Sequence, residues 1–146
     1  MTNRARAGLW AGLIIALATT AFLLAGRFML PEGMDLRHMA LFVDPAKHSR
    51  LALAIGALNH ILAGSVIGLL YGQLAPRFTP MTGIAALMIS WAALMLVGLP
   101  LTGRSPFGME DGVSLAVWTL ALHIAFGAAL GVLANLTLAR LARPNY

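Results

Sequence analysis

The sequence contains no cysteine and little charge. None of its 146 residues is Cys, which excludes disulfide bonds, thiolate catalysis, iron–sulfur clusters and Cys-ligated zinc. Charged residues make up 10% of the chain, against about 25% in soluble domains. The formal net charge is +5, but the basic residues flank apolar runs and form no patch of the kind that binds nucleic acid. An ordinary water-soluble domain and a nucleic-acid-binding protein are therefore both excluded.

Apolar residues are abundant instead, and they fall into four long runs. They make up 60% of the chain, with a mean hydropathy of +0.84. A helix of about 20 apolar residues crosses the hydrocarbon core of a bilayer. The period-two alternation of a membrane barrel is absent, so helices are favoured. The sequence predicts an all-α integral membrane four-helix bundle, a single domain over 1–146 with helices at about 8–30, 50–72, 83–101 and 113–138.

The charges between the runs bear on orientation. An even number of helices places both termini on one side of the membrane. That side carries Arg4, Arg6, Arg77, Arg140 and Arg143, and the other carries Arg27, Arg37, Lys47, Arg50 and Arg104. The acidic residues all belong to the second side: Glu32, Asp35, Asp44, Glu110 and Asp111. Basic residues without neighbouring carboxylates resist translocation more strongly, so we predict that both termini are cytoplasmic.

A motif in the second run recurs in the fourth. The pattern His-Ile-x-x-Gly-x-x-x-Gly-x-Leu begins at His60 and again at His123, and Arg77 and Arg140 follow at the same distance. The simplest account is two tandem, similar helical hairpins in which the second and fourth helices run parallel. Both imidazoles would then lie about 15–18 Å below the outer boundary, near the middle of the bilayer.

Each histidine shares a helix face with glycines one and two turns away, which are Gly64 and Gly68, and Gly127 and Gly131. If the glycine faces touch other helices, the pattern indicates packing, with each imidazole bonded to a side chain such as Asn59, Ser90 or Thr119. If they face a gap, the two histidines are candidate axial ligands of haem b or another tetrapyrrole, and the glycines leave room for the ring. A proton relay is the third interpretation. The sequence leaves these interpretations open.

The outer loop over 31–49 is the largest segment between the runs. It contains Met34, His38 and Met39 at helical spacing, with Met29 and His48 close by. Thioether and imidazole groups suit Cu(I), so copper handling is one hypothesis for this loop. A short amphipathic helix lying on the membrane surface explains the same residues without a metal.

We expect no enzymatic activity from the chain alone, because no nucleophile has an evident base and no glycine-rich phosphate loop follows a strand. The leading hypothesis is a non-catalytic subunit or scaffold of a larger membrane complex. Its partners would be the lipid bilayer and other membrane subunits, or further copies of itself. The first alternative is an electron-transfer protein with His60 and His123 as haem ligands, and the second is copper handling.

Two stretches of the second half are similar to a known family. The segment VGLPLTGRSPFG over 97–108 is followed by LHIAFGAALG over 122–131. These stretches resemble small four-helix bacterial inner-membrane proteins of unknown function, which have a Pro-Leu-x-Gly-x-x-x-Phe-Gly turn and a His-x-x-x-Gly-x-x-x-Gly helix. The motif that begins at His60 is similar to the second of these patterns. The resemblance implies a four-helix architecture in a bacterial inner membrane and brings no established activity.

Overall fold

The computed structural model describes residues 1–26, 34–40 and 49–143 of the chain. These residues form four long helices, and each is long and apolar enough to cross a membrane. We label them α1 (Asn3–Gly26), α2 (Ser49–Leu74), α3 (Pro80–Leu101) and α4 (Val113–Leu141). The described residues contain no strand. The four predicted spans thus correspond to four helices, although the predicted end of the first span, over 27–30, lies outside the described residues.

The helices extend beyond the apolar runs from which they were predicted. Helix α1 begins at Asn3 and α3 at Pro80, before the predicted starts at residues 8 and 83. At α3 the cause is local, because Thr79 and Thr82 form a reciprocal capping box. Pro80 follows at the first helical position, where its missing N–H costs nothing. Hydropathy marks the part of a helix that lies in lipid, whereas capping marks where the helix begins.

Helix α3 changes its winding near its end. Residues Leu94–Gly98 form a π turn, in which the Leu99 N–H bonds the Leu94 carbonyl. Pro100 follows immediately and has no N–H to offer the preceding turn. The wider π turn accommodates this interruption and lets the helix continue to Leu101.

The helices pack as two antiparallel hairpins, α1 with α2 and α3 with α4. A third extensive interface joins α1 to α4, whereas α2 and α3 touch only briefly. The four helices therefore form a ring with one weakly closed side, between α2 and α3. Helices α2 and α4 lie across the ring from each other, with hardly any contact between them.

Two apolar clusters fill the interior, one towards each end of the ring. We call the end where α1 begins and α4 finishes the terminal end, and the opposite one the far end. The terminal cluster consists of Ala7, Ala11, Tyr71, Phe78, Leu130 and Ala134. The far cluster consists of Leu23, Met34, Leu36, Met95, Leu99 and Leu115. Each helix contributes to at least one cluster, so the two hairpins share a common core.

The outward faces of the helices are apolar, as expected for helices in lipid. Large exposed side chains occur on every helix, for example Trp10, Leu62, Ile89 and Trp118. A water-soluble protein would not expose apolar surface on all sides. The outer surface and the four membrane-capable helices together indicate a membrane protein.

Candidate functional site

The first hairpin brings glycine faces into backbone contact. A Cβ built on Gly68 would lie 2.4 Å from the Gly8 carbonyl oxygen and 2.6 Å from the Gly12 Cα. The contacts recur every fourth residue along both helices, and they pair Gly8 with Gly72, Gly12 with Gly68, and Ala16 with Gly64. Such spacing allows the axes of α1 and α2 to approach closely.

His60 continues this series one turn further. It lies opposite Thr20 of α1, with 2.8 Å between His60 Nδ1 and Thr20 Oγ1. Thr20 is buried, with only 6% of its surface exposed. The hydroxyl can donate to the ring nitrogen or accept from it, and in both cases the bond joins the two helices at the level of His60. The imidazole is therefore held by α1, the neighbour that also covers the glycines of α2.

The second hairpin repeats the close approach at its own glycines. A Cβ on Gly127 would lie 2.8 Å from the Ile84 Cα, and one on Gly131 would lie 2.0 Å from the Thr79 carbonyl oxygen. A Cβ on Gly83 would in turn lie 2.1 Å from the Gly127 carbonyl oxygen. These two glycines of α4 are therefore covered by α3, as those of α2 are covered by α1.

His123 is anchored within its own helix. Its Nδ1 lies 2.7 Å from the Thr119 carbonyl oxygen, and because a carbonyl only accepts, Nδ1 carries the proton of the neutral ring. The lone pair of the ring then resides on Nε2. The Thr119 hydroxyl accepts a bond of 3.1 Å from Trp91 Nε1 of α3. A chain of polar groups thus links α3, α4 and His123.

The two histidines lie at similar depths. At 1.5 Å per residue His60 is about 17 Å from the start of α2, and His123 is about 15 Å from the start of α4. Both helices begin at the far end, so the two imidazoles lie at about the same depth in the bundle. They lie on α2 and α4, which face each other across the interior of the bundle. Both are half-buried.

The histidines have the donor set for a bis-histidine metal site, but the glycines provide no space for a macrocycle. Nδ1 of each ring is bonded to an oxygen, an arrangement that orients ligating imidazoles. Gly64, Gly68, Gly127 and Gly131, however, are occupied by contacts with α1 and α3. A cavity of about 330 Å³ does occur among the described residues, but it lies at the far end, beside Leu23, Arg37 and Arg50. The structure thus places the two imidazoles at similar depths, and the glycines beside them are in contact with neighbouring helices.

The candidate copper ligands are only partly described. Met34 is buried in the far cluster and Met39 packs against it, whereas His38 is exposed. Met29 and His48 lie outside the described residues. The described part of the chain contains no group of three or more His, Asp or Glu able to hold a metal ion. The two thioethers serve as apolar filler here.

The central cluster is the set of bonded polar residues in mid-bundle: Thr20, His60, Trp91, Thr119 and His123. Sequence reasoning missed Thr20 and Trp91 as members of it. Ser90 and Asn59 were candidate partners of the imidazoles, but Asn59 Nδ2 instead donates to the Met39 carbonyl at 2.9 Å. The missing signal was the register of the hairpin. Once Gly12 is set against Gly68, counting eight residues along both helices places Thr20 against His60.

Comparison with known proteins gives a family and no further relative. No curated protein and no solved structure matches the chain. A family model matches residues 2–144, nearly the whole length. The chain therefore belongs to the family described as a family of unknown function, DUF6789.

Proposed function

We propose that this protein is a non-catalytic subunit or scaffold of a larger complex in a bacterial inner membrane, with both termini in the cytoplasm. The observation that carries the proposal is the open side of the ring between α2 and α3. Each of these helices packs mainly on one neighbour, α2 on α1 and α3 on α4. Their outward residues are large and apolar, such as Leu62 and Ile89. A helix of another subunit, or of a second copy, can pack against this open side between α2 and α3.

The central polar groups support a structural role as well. The Thr20, His60, Trp91 and His123 side chains all have bonding partners inside the chain. Polar groups in a membrane that are bonded to one another hold helices together. We also propose that the two hairpins arose by duplication, since in each the two glycines of a His-x-x-x-Gly-x-x-x-Gly helix make close backbone contacts with the preceding helix.

Site-specific photocrosslinking tests the proposal. A photoreactive side chain at Leu62 or Ile89 lies on α2 or α3, and one at Ile14 of α1 is the matched control, since all three residues are exposed. In native membranes we expect protein adducts from Leu62 and Ile89 and few from Ile14. Gentle solubilisation should also yield a particle larger than the 15.4 kDa chain. A monomer that forms no protein adduct at any of the three positions would contradict the proposal.

A second candidate function is electron transfer through haem b bound by His60 and His123. The observation in its favour is that two imidazoles lie at one depth, with Nδ1 of each ring held by an oxygen. When bound, haem would supply reversible one-electron chemistry, and Thr20 and the Thr119 carbonyl would orient the ligands. The helices would have to separate at the glycine contacts to admit the haem macrocycle.

An optical spectrum tests this candidate. Protein expressed with ample haem would show a reducible Soret band, lost in the His60→Ala and His123→Ala variants. A colourless preparation, or a band that persists in both variants, would exclude bis-histidine ligation. The copper hypothesis gains no support from the described residues, because Met34 and Met39 pack in the far cluster while His38 is exposed.

A further inference from the structure

The terminal end carries arginine and, within the part of the chain that the structure describes, no Asp or Glu. Its exposed basic residues come from three separate elements: Arg6 of α1, Arg77 of the α2–α3 connection, and Arg140 and Arg143 at the end of α4. The acidic residues of the sequence all occur elsewhere, at positions 32, 35, 44, 110 and 111. The exposed arginines therefore form a surface of one sign, which we call the terminal arginine face.

Arg4 of the same end has a different role. Its guanidinium donates a hydrogen bond to the Ala75 carbonyl and lies over the Phe78 ring, 4.5 Å from the centroid. Phe78 in turn belongs to the terminal cluster. Arg4 thus fixes the α2–α3 connection against α1 and holds Arg77 at the rim of the bundle, so the terminal arginine face has a rigid base.

At the far end, by contrast, two of the described arginines are paired with carboxylates. Arg37 bonds Asp35, and Arg104 Nε lies 3.3 Å from Glu110 Oε1. Hydrogen bonds from Ser105 and Arg104 lower the pKa of Glu110 to about 2, so this carboxylate is charged at neutral pH. Among the described residues, arginine–carboxylate pairs are thus found at the far end, whereas Arg6, Arg77, Arg140 and Arg143 of the terminal end have no such pair.

The lipid-facing surface leads directly into the terminal arginine face. Exposed Trp10 lies one turn from Arg6, and exposed Leu136 lies one turn from Arg140. This order, from apolar or aromatic side chain to basic side chain, is typical of the boundary between acyl chains and headgroups. The planar fork of arginine bonds two phosphate oxygens at once. We infer that the terminal arginine face binds the headgroups of anionic phospholipids, selecting them over zwitterionic lipids at this end of the protein.

Tryptophan quenching by brominated lipids tests this inference, because exposed tryptophans mark both ends. Trp10 lies towards the terminal end and Trp118 towards the far end. The full chain, as Trp10→Phe and Trp118→Phe variants, would be reconstituted in phosphatidylcholine vesicles containing brominated phosphatidylglycerol or brominated phosphatidylcholine. Trp91 remains in both as a common background. We expect phosphatidylglycerol to be preferred by about fivefold at Trp10 in low salt, with no preference at Trp118.

Paired substitutions of equal charge separate the two ends. Arg140→Gln with Arg143→Gln should reduce the preference at Trp10 severalfold, and the corresponding Lys variants should retain most of it, because they keep the charge. Arg37→Gln with Arg50→Gln is the matched control and should leave it unchanged. Equal quenching by the two lipids at Trp10, or a preference that survives Arg140→Gln with Arg143→Gln, would overturn the inference. The vesicles contain lipid and this chain but no other protein, so the result does not depend on whether the proposed complex exists.

Discussion

Thr20 and His60 form the side-chain hydrogen bond that joins α1 to α2 near the middle of the bundle. Thr20→Val removes the hydroxyl and keeps the shape, so His60 Nδ1 loses its partner. Hydrogen bonds between membrane helices contribute modestly, and we expect a loss of about 0.5–1.5 kcal/mol in the free energy of unfolding. Titration with SDS in mixed micelles measures this loss.

The adjacent Thr19 provides the control. Its hydroxyl donates to the Ile15 carbonyl of the same helix, 2.5 Å away, and joins no second helix. Thr19→Val should therefore cost less than Thr20→Val, and Thr19→Val combined with His60→Leu should be close to additive. Thr20→Val and His60→Leu, by contrast, should be strongly non-additive. Equal costs for the two threonine variants would show that the bond between Thr20 and His60 adds nothing to stability.

Glu110 gives a prediction for pH at the far end. Hydrogen bonding to Ser105 and Arg104 lowers its pKa from 4.5 to about 2 in the folded chain. A lowered folded-state pKa means that the contribution of this carboxylate is complete above the unfolded value and disappears as pH falls from about 4.5 towards 2. The Glu110→Gln variant should therefore lose less stability than the parent between pH 5 and pH 3, as measured by thermal unfolding in detergent. Parallel pH profiles would contradict this assignment.

Residue identities in the central cluster were partly readable from the sequence. His60, Gly64 and Gly68 fall on one helical face by spacing alone, and so do their counterparts in α4. The identity of the helix against that face was not readable, because it depends on how the connecting segments bring the helices together. The two histidine helices lie across the ring from each other and are covered by α1 and α3, which the spacing within each helix does not determine.

At the scale of elements, the close contact between α1 and α2 predicts that a methyl group can be moved from Ala16 to Gly64 with little loss of stability. A Cβ on Gly64 would lie 2.5 Å from the Ala16 Cβ. Gly64→Ala should therefore destabilise the hairpin by about 1–3 kcal/mol through overpacking. Ala16→Gly removes the atom that clashes, and the double variant should recover most of the loss, since the helix propensities of the two changes cancel.

The same rescue should fail one turn away. A Cβ on Gly68 meets the Gly8 carbonyl oxygen and the Gly12 Cα, which are backbone atoms that no substitution removes. Gly68→Ala should remain destabilised in the presence of Ala16→Gly. The SDS midpoint of each purified variant measures the outcome. Recovery of Gly68→Ala by Ala16→Gly, or failure to recover Gly64→Ala, would mean that α1 and α2 pack in a different register.

The sequence predicted the number of helices, but it did not predict the local features at the start of α3 and near its end. Four apolar runs predict four helices because each run can satisfy its backbone in lipid only by becoming helical. The capping box at Thr79 and the π turn before Pro100 both depend on a few local polar or imino groups. Averaging hydropathy over a whole span conceals such groups, which is why the start of α3 was placed three residues too late.

At the scale of the whole molecule, the distribution of charge predicts how the protein lies in the membrane. The terminal arginine face has no acidic neighbour in the sequence, whereas the far end pairs Arg37 with Asp35 and Arg104 with Glu110. Moving unneutralised arginine across the bilayer is opposed more strongly than moving paired charges. We therefore expect the terminal end to stay in the cytoplasm and the far end to be translocated.

Because the chain has no native cysteine, single-cysteine variants report this orientation directly. Met109→Cys introduces an exposed thiol at the far end, and Ala142→Cys one at the terminal end. In bacterial spheroplasts a membrane-impermeant maleimide should label Met109→Cys at once and Ala142→Cys only after permeabilisation. The reverse pattern would refute the cytoplasmic assignment. Labelling of both variants in sealed spheroplasts would reveal dual insertion, the result expected if the equal Lys and Arg counts of the two ends, and not their pairing with carboxylates, decide orientation.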